Sequence, residues 1–192
     1  MTERAVLFTG VGGQGVQICS KTLATAANDE DRYCMLIARY DGGMRGGMTN
    51  AEVTVGDAPL RALPITPLAW AAFVMSPAYW HTVSDRLESD AVVVVNSSLA
   101  TLTQPDARLF EVPANDLAAS LGNPLSAGFV LLGAFAALTG LVTVDGAVDA
   151  MRQLIPPYRT EHLQANEDAL RTGAAAVPEL AAPAWPVQAV TP

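Results

Sequence analysis

The sequence predicts an α/β fold: a three-layer α/β/α sandwich with a mainly parallel sheet. Short apolar segments alternate with amphipathic segments along the chain, as strands and helices do in such sheets. The run at 91–95 is almost entirely β-branched, which is typical of a strand that is covered on both faces. A glycine-rich segment at 10–15 lies directly between the first apolar segment and the first amphipathic one. Together these observations favour parallel strands joined by helices.

The first half of the chain predicts four strands and two helices. The helix after the glycine-rich segment carries Val16, Cys19, Leu23 and Ala26 on one stripe, the spacing of an amphipathic helix. The predicted elements are a strand at 5–9, a helix at 16–30, strands at 33–38, 51–55 and 68–75, and a helix at 78–88.

The second half predicts two further strands and four helices. They are strands at 91–95 and 108–112, helices at 114–121, 125–139 and 144–155, and a last helix that ends at Gly173. Thr143 and Thr160 are predicted N-caps, because a threonine side chain can accept a hydrogen bond from the first turn. Gly173 is predicted to end its helix, as a glycine often does.

The composition indicates one globular domain followed by a short extension. The chain has 192 residues, of which 51% are hydrophobic, and this length can bury a sizeable core. Residues 1–173 are predicted to form the domain. Residues 174–192 are rich in alanine and proline and are predicted to be an extended arm or a disordered end.

Charge and hydropathy exclude two classes of partner. The net charge of −8 argues against general nucleic-acid binding, which needs lysine and arginine to neutralise phosphates. The longest apolar run, 125–138, is shorter than the roughly 20 residues that span a bilayer. We therefore expect neither a nucleic acid nor a membrane as partner.

The cysteine content predicts a cytoplasmic protein without a metal site. Cys19 and Cys34 do not form a C-x-x-C pair, so neither a disulfide framework nor a zinc site is expected. Sparse cysteines fit a reducing compartment, and the first residues lead straight into a strand rather than into an apolar leader. Both cysteines are interpreted as packing residues.

The segment from Gly10 to Gly15 is the first candidate binding loop. Glycines at 10, 12 and 15 follow a strand and precede a helix, which is the context of a Rossmann-like dinucleotide loop. The alternative is a tight turn without a ligand. A dinucleotide site also needs an acidic residue at the end of the second strand, and the segment 39–41, Arg-Tyr-Asp, is ambiguous in this respect.

Two further polar segments also follow strands directly. Arg45 lies between two Gly-Gly pairs, and flexible backbone around one guanidinium suits the capture of a carboxylate or phosphate. The alternative is a surface hairpin with a solvated arginine. The segment 96–98, Asn-Ser-Ser, can contact a ligand or cap a helix. Because ligands bind at the carboxyl ends of parallel strands, the three segments are expected to converge on one sheet edge.

No residue is predicted to be catalytic and none to bind a metal. His81 and His162 stand alone, and no acid/base pair or nucleophile–histidine arrangement stands out. A chain of this length without such machinery suggests a subunit whose chemistry is completed by other chains.

The motifs together resemble one known family. The segments 10–15, Gly-Val-Gly-Gly-Gln-Gly, and 40–47, Tyr-Asp-Gly-Gly-Met-Arg-Gly-Gly, are similar to the first two signatures of the gamma subunit of 2-oxoacid:ferredoxin (acceptor) oxidoreductases. The segments 95–98 and 121–124 resemble the next two. The resemblance runs in order from about residue 4 to 173. One departure is Asp41, where family members often carry glycine, since a carboxylate there would repel phosphate.

The resemblance implies a mechanism for a complex rather than for this chain alone. Thiamine diphosphate, with Mg, would add to a 2-oxoacid that then loses CO2. Electrons would leave through 4Fe–4S clusters, and coenzyme A would take the acyl group. Alpha-, beta- and delta-type subunits would hold most of these groups, with ferredoxin or NAD accepting electrons through them. Two cysteines cannot supply the four ligands of such a cluster, so no cofactor is assigned to this chain alone.

The resemblance also implies which residues line the coenzyme A side of the active site. These cofactor-binding candidates are Gly10, Gly12, Gly13, Gln14, Gly15, Arg45, Gly46, Gly47, Asn96 and Ser97. Two other hypotheses stay open, namely a free-standing NAD(P)-dependent oxidoreductase and a binding or assembly protein without an active site. The sequence does not name the 2-oxoacid or the electron acceptor.

Overall fold

The computed structural model describes residues 1–40, 46–60, 66–99, 101–104, 106–156 and 162–185. Its strands are β1 (Glu3–Val11), β2 (Tyr33–Tyr40), β3 (Met48–Gly56), β4 (Ala69–Val74), β5 (Leu87–Asn96) and β6 (Ala107–Val112). Its α-helices are α1 (Val16–Asp29), α2 (Ala114–Ser120), α3 (Ala127–Thr139), α4 (Val144–Leu154) and α5 (Leu163–Ala175). Short 3₁₀ helices cover Pro77–Thr82, Ser84–Arg86 and Pro124–Ser126.

The six strands form one mixed sheet in the order β2-β3-β1-β4-β5-β6. Strands β1, β4, β5 and β6 are parallel neighbours, whereas β3 runs antiparallel to both β1 and β2. Only residues 41–47 separate β2 from β3, which is too short for the crossover that a parallel pair requires. The predicted α/β class with a mainly parallel sheet is confirmed.

The two faces of the sheet are covered differently. The main hydrophobic core lies between one face and the α-helices, and it contains Phe8 and Phe73 from the sheet together with Leu131 and Phe135 from α3. On the other face, Val83 of the chain between β4 and β5 is buried in a smaller cluster with Leu7 and Ala69. The α-helices therefore cover one face of the sheet, and short 3₁₀ helices contribute to the cover of the other face.

The helix predicted at 78–88 is wrong, because two 3₁₀ helices occupy this stretch and β5 begins at Leu87. Tyr79 has a non-helical backbone, with φ −115° and ψ 21°. Aromatic and β-branched residues lose side-chain freedom in an α-helix, and Trp80 and Val83 instead pack beneath the sheet. Tertiary burial therefore overrides the helical pattern here.

The expected helix end at Gly173 is also wrong, because α5 continues to Ala175. Gly173 is buried where α5 crosses α3, and a Cβ at this position would overlap the carbonyl oxygen of Val130. Gly133 of α3 faces Leu170 in the same way. Each glycine lets the two helices approach closely, so Gly173 serves packing rather than capping.

The predicted cap of α4 is confirmed, since the Thr143 hydroxyl oxygen accepts a hydrogen bond from the Gly146 N–H at 2.9 Å. The Glu30 carboxylate reinforces this turn by accepting from the Thr143 N–H at 2.8 Å. Thr160, the other predicted cap, lies outside the described residues.

The chain after α5 packs back onto the end of α3. The N–H groups of Leu180, Ala182 and Ala184 donate to the carbonyl oxygens of the last residues of α3, Ala137, Leu138 and Thr139. Ala182 and Ala184 are fully buried, and the Arg32 guanidinium lies 4.2 Å from the centroid of the Trp185 ring. We call residues 180–185 the C-terminal strap; it satisfies helix-end carbonyls that would otherwise lack partners.

Burial controls both cysteine thiols. Desolvation of the fully buried Cys19 raises its pKa far above the usual range, and burial raises the pKa of Cys34 to about 11. Both thiols therefore stay protonated at neutral pH. Among the described helices, none combines the length and apolar character needed to cross a membrane.

Candidate functional site

The β1–α1 loop makes a sharp turn at the carboxyl end of β1. Gly13 has φ +98° and Gly15 has φ +82°, a backbone region that residues with a Cβ seldom adopt. A Cβ at Gly10 would lie 2.7 Å from a Val16 methyl group and 3.0 Å from the Met75 Cβ. The loop therefore needs glycine at these positions for two different reasons, backbone conformation and close packing.

Gln14 closes the loop on itself. Its side-chain oxygen accepts a hydrogen bond from the Val11 N–H at 2.8 Å, and its own N–H donates to the Val11 carbonyl oxygen at 3.1 Å. This pair of hydrogen bonds stabilises the turn. The sequence motif includes Gln14 but does not predict this structural role.

The loop leaves backbone donors at the start of α1. The N-cap residue Gly15 has a left-handed backbone and provides no side-chain cap. The first N–H of the helix with a described acceptor is that of Cys19, which donates to the Gly15 carbonyl oxygen at 2.9 Å. Those of Val16, Gln17 and Ile18 donate to no described residue. Such N–H groups at a helix N-terminus favour an anion or a polar acceptor.

The second glycine-rich segment meets the first. The Gly12 N–H donates to the Gly47 carbonyl oxygen at 2.8 Å, and the Gln17 side-chain amide donates to the Asn50 carbonyl oxygen at 3.1 Å. The structure thus brings Gly12, Gly46 and Gly47 to the same sheet edge. Arg45 lies outside the described residues.

The third segment is close in space but faces inward. Asn96 is fully buried; its side-chain nitrogen donates to the carbonyl oxygen of Met75 at 3.2 Å and its side-chain oxygen accepts from the Ala114 N–H. The Ser97 N–H donates to the Val112 carbonyl oxygen. Asn96 therefore ties the ends of β4 and β5 to the start of α2, a positioning role that the capping alternative anticipates.

A cavity of about 180 Å³ lies beside the glycine loop. Its lining consists of Gly13 and Gln14 from the loop, Met75 after β4, and Asn115, Pro124, Leu125 and Ala127 from the start of α2 and of α3. The chain places β2 and β3 on one side of β1 and β4 on the other. The cavity therefore lies at the topological switch point of the sheet, where ligands bind in open α/β folds.

Three residues of this site are absent from the sequence-based candidates. Leu125 is 88% exposed although it is large and apolar, and it follows the Asn-Pro turn that the sequence shows. Asn115 lines the cavity and accepts from the Asn96 side chain at 2.6 Å. Gly128 is tight under the loop, since a Cβ there would lie 2.9 Å from the Cys19 sulfur and 3.1 Å from the Gln14 carbonyl oxygen. Of these three residues, only Gly128 leaves no local sequence signal, because glycine is required there by a contact between elements that are distant in sequence.

The chemistry available in the cavity is recognition rather than proton transfer. None of its lining residues carries a charge, and two of them, Gln14 and Asn115, carry side-chain amides. Its volume is below the roughly 300 Å³ at which pockets begin to enclose whole small molecules. The cavity can hold one polar or anionic group of a larger ligand.

Comparison with known proteins identifies the family. Residues 5–176 match the family model of pyruvate ferredoxin/flavodoxin oxidoreductase. The pyruvate synthase subunit PorC of Methanothermobacter marburgensis is 29% identical over 154 residues, which cover 79% of this chain and 86% of that protein. The 2-oxoglutarate synthase subunit KorC of Methanothermobacter thermautotrophicus is 26% identical over 83% of this chain and 88% of that protein.

Solved structures share the fold. The gamma subunit of a keto/oxoacid ferredoxin oxidoreductase from Geobacter sulfurreducens has a TM-score of 0.76 at 24% identity and covers 90% of this chain and 97% of its own. The 2-oxoglutarate:ferredoxin oxidoreductase of Magnetococcus marinus has a TM-score of 0.82 at 15% identity, and it matches 93% of this chain with 32% of its own. The same fold thus occurs as a separate subunit and as one part of a longer chain.

These findings agree with the four sequence motifs and their order along the chain. The family model spans all of the motifs, and the relatives match this chain over most of their own length. The chain therefore belongs to the pyruvate ferredoxin/flavodoxin oxidoreductase family, in which it is similar to the gamma-type subunits of 2-oxoacid oxidoreductases.

Proposed function

We propose that this chain is the gamma subunit of a thiamine diphosphate- and iron–sulfur-dependent 2-oxoacid:acceptor oxidoreductase, and that it completes the active site on the coenzyme A side. The complex would decarboxylate a 2-oxoacid oxidatively and form an acyl-coenzyme A. The chemistry would occur on groups held by alpha-, beta- and delta-type partners. This chain would supply the surface against which coenzyme A lies.

The observation that carries the proposal is the cavity at the switch point. It combines an uncharged lining, two side-chain amides (Gln14 and Asn115) and a volume of about 180 Å³, which suits one group of a large ligand and not the whole of it. A partner chain would supply the remaining walls. The Gly12–Gly47 hydrogen bond supports a single functional edge, because it links the two glycine-rich segments that the family resemblance singles out.

Arg45 is the proposed anion contact at this edge. It directly precedes Gly46 and Gly47, and the latter is bonded to the loop. A guanidinium can bind a phosphate or carboxylate through two hydrogen bonds. We assign it the binding of a coenzyme A phosphate or of the 2-oxoacid carboxylate.

The alternative of a free-standing NAD(P)-dependent oxidoreductase has no support among the relatives, which are subunits of 2-oxoacid oxidoreductases. It predicts that the isolated chain binds NAD(H) or NADP(H). Titration calorimetry that detects stoichiometric binding would favour this alternative over our proposal.

The proposal is tested with the complex purified from cells that express this chain with its partner subunits. Dye reduction is followed as a function of 2-oxoacid and of coenzyme A for the wild type, Arg45→Ala and Arg108→Ala. Arg45→Ala should raise the KM for coenzyme A or for the 2-oxoacid at least fivefold. Arg108 is the matched control, because it is a partly exposed arginine near the amino end of β6, at the opposite edge of the sheet.

The KM values for coenzyme A and for the 2-oxoacid distinguish the two proposed roles of Arg45. A raised KM for coenzyme A alone would support a phosphate contact, and a raised KM for the 2-oxoacid alone would support a carboxylate contact. Kinetic constants that match those of the Arg108→Ala complex would remove Arg45 from the site.

A further inference from the structure

A second cavity lies on the sheet face opposite the α-helices. It has a volume of about 200 Å³ and lies between β2, β3 and the chain before β5, where Leu7 and Val83 are buried. None of its described lining residues belongs to the cavity beside the glycine loop. Pockets that enclose whole drug-sized molecules begin at roughly 300 Å³, so a ligand of this cavity must be small.

The polar part of the lining is built around Arg86. Its Nη2 atom donates to one Glu52 carboxylate oxygen at 2.7 Å and to the Thr66 carbonyl oxygen at 2.8 Å. The other Glu52 oxygen accepts from the Thr66 N–H at 2.6 Å, so both carboxylate oxygens are occupied. The Nε and Nη1 atoms of Arg86 donate to no described residue. The guanidinium is therefore held in place and still has N–H groups to offer.

Arg39 gives the cavity a second guanidinium. Its side chain is exposed and forms no ion pair with a described residue. Glu52 is the only acidic residue in the described lining, so two guanidinium groups and one carboxylate leave a net charge of +1. In a chain of net charge −8 this is a local excess of positive charge. One monoanion would neutralise it.

The lining also contains an acceptor that lacks a donor. The side-chain oxygen of Asn50 is buried and accepts no hydrogen bond from a described residue. Arg39 lies directly opposite Asn50 in the β2–β3 ladder, and directly opposed residues carry their side chains on the same face of a sheet. Because a guanidinium has five N–H groups, Arg39 can turn into the cavity and donate to Asn50 and to a bound anion together.

We propose that this cavity binds a short aliphatic carboxylate as a free small molecule. Its carboxylate lies between Arg39 and Arg86, since guanidinium groups match the planar carboxylate with paired hydrogen bonds. Its aliphatic chain lies against the apolar part of the lining, which includes Leu7, Met48 and Val83, and removal of that chain from water favours binding. The net charge of +1 selects a monocarboxylate over a phosphate dianion.

Titration of the full chain with butyrate tests whether the cavity recognises the charge of its ligand. Butyramide is the matched neutral probe, because it has nearly the same size and shape. The methyl NMR signals of Met48 and Val83, which both line the cavity, report binding at this place. At constant ionic strength, butyrate should shift them saturably with a Kd on the order of 1 mM, as is usual for so small a ligand. Butyramide should bind about tenfold more weakly, because its hydrogen bonds are not charge-assisted.

Two substitutions change the charge of the cavity in opposite directions. Arg39→Gln should weaken butyrate binding about five- to tenfold and leave butyramide binding nearly unchanged. Glu52→Gln removes the acidic residue of the lining and should tighten butyrate binding several-fold. Circular dichroism checks the folding of each variant, and Arg39, which is exposed, keeps the test valid if Glu52→Gln destabilises the chain. Arg108→Gln, at the opposite edge of the sheet, is the control and should bind butyrate like the wild type.

A rival source of the same chemistry is an aspartate or glutamate side chain of a partner subunit. The titration is therefore repeated on the complex purified with its partner subunits, in which only this chain carries the methyl label. Uptake of butyrate with a similar Kd in the complex would support a free ligand. A complex that excludes butyrate would assign the cavity to a carboxylate of a partner subunit and overturn the proposal.

Three results with the full chain alone would also overturn the proposal. They are methyl signals of Met48 and Val83 that do not shift, equal Kd values for butyrate and butyramide, and a folded Arg39→Gln or Glu52→Gln variant that binds butyrate as the Arg108→Gln control does.

Discussion

Two glycine-containing regions of the molecule, the β1–α1 loop and the crossing of α3 with α5, use the residue differently. In the loop, Gly13 has a positive φ, and nothing lies within 4 Å of the place where its Cβ would be. At the crossing, Gly133 and Gly173 have ordinary helical backbones, but a Cβ on either would overlap a backbone carbonyl oxygen of the other helix. Gly13 of the loop is needed for its conformation and has open space beside it, while Gly133 and Gly173 are needed for their lack of volume.

The difference separates the proposed recognition surface from a scaffold. Open space beside a strained loop is available to a ligand or a partner, whereas a filled helix crossing fixes the positions of the elements that carry the loop. The two regions are connected by α3, whose first turn carries Gly128 under the Gln14 carbonyl oxygen and whose middle contacts α5. Substitutions in the crossing should therefore affect stability first, and substitutions in the loop should affect function first.

The largest effect on stability is expected for Gly173→Ala. The added methyl group must push apart two backbones, and overpacking of this kind costs about 3 kcal/mol or slightly more. For a domain of this size the melting temperature should fall by about 6–12 °C, measured by calorimetry or by circular dichroism.

Gly146→Ala is the matched control for that substitution. It also places alanine in a helix, but the nearest atom to the new Cβ belongs to the side chain of Glu30. This side chain can move at the cost of its hydrogen bonds to Thr143, and no backbone has to shift. The melting temperature of Gly146→Ala should change by less than a third of the change expected for Gly173→Ala. Equal losses in the two variants would contradict the scaffold role of the crossing.

Removal of the C-terminal strap should have the next largest effect. A chain that ends at Glu179 loses the three N–H donors to the end of α3 and the two fully buried alanines. Lost hydrogen bonds to carbonyls that become partly desolvated cost about 1 kcal/mol each, so we expect a loss of about 2–3 kcal/mol in urea unfolding. Pro183→Ala, at an exposed strap position, should leave the unfolding midpoint nearly unchanged; a stable truncated chain would show that the strap contributes nothing to the scaffold.

A smaller loss of stability is expected for Gly13→Ala. A positive φ costs a residue with a Cβ about 1–2 kcal/mol, and no neighbour adds to this cost. In the complex, the same variant should raise the KM for coenzyme A several-fold, because it distorts the loop that lines the cavity.

Gly122→Ala provides the matched control for Gly13→Ala. Gly122 also has a positive φ, of 74°, with nothing within 4 Å of its Cβ position, but it does not line the cavity. Similar stability losses with a KM change only for Gly13→Ala would sharpen the distinction between loop and scaffold. Unaltered kinetics in both variants would remove the loop from the coenzyme A side.

The smallest effect on stability is expected for Leu125→Ser. The side chain is 88% exposed, so its replacement should shift the unfolding midpoint by less than about 0.5 kcal/mol. Because Leu125 also lines the cavity, we expect weaker association with the partner subunits, seen as dissociation of the complex on gel filtration. Leu180→Ser, at 52% exposure on the strap, is the control; complexes of equal stability would place the partner contact elsewhere.

The sequence predicts the recognition surface better than the scaffold. The strand–loop–helix at 10–15 follows from a local pattern, because turn geometry is a local property. The two glycine-rich segments each follow a predicted strand, and they meet because β3 pairs with β1. The family motifs pointed to the same residues independently. The role of Asn96 was open between ligand contact and capping, and its burial with inward hydrogen bonds depends on α2, which is distant in sequence.

The scaffold depends on contacts between distant residues, and there local patterns mislead. Gly173 has the local pattern of a helix end, yet glycine is required there because the Val130 backbone of another helix lies against it. The stretch 78–88 has a helical pattern, but Trp80 and Val83 pack against one face of the sheet. The alanine- and proline-rich residues 174–192 suggest an extended arm or a disordered end. Only the carbonyl groups at the end of α3 explain where residues 180–185 bind.

Coenzyme A binding by the assembled complex tests the central claim most directly. Titration calorimetry is performed on the complete complex, on the complex prepared without this chain, and on the isolated chain. The account predicts one coenzyme A per gamma chain in the complete complex, and a Kd at least tenfold weaker in each of the other two samples, because each then holds only part of the site. An unchanged Kd in the complex that lacks this chain would contradict the claim that it completes the coenzyme A side of the active site.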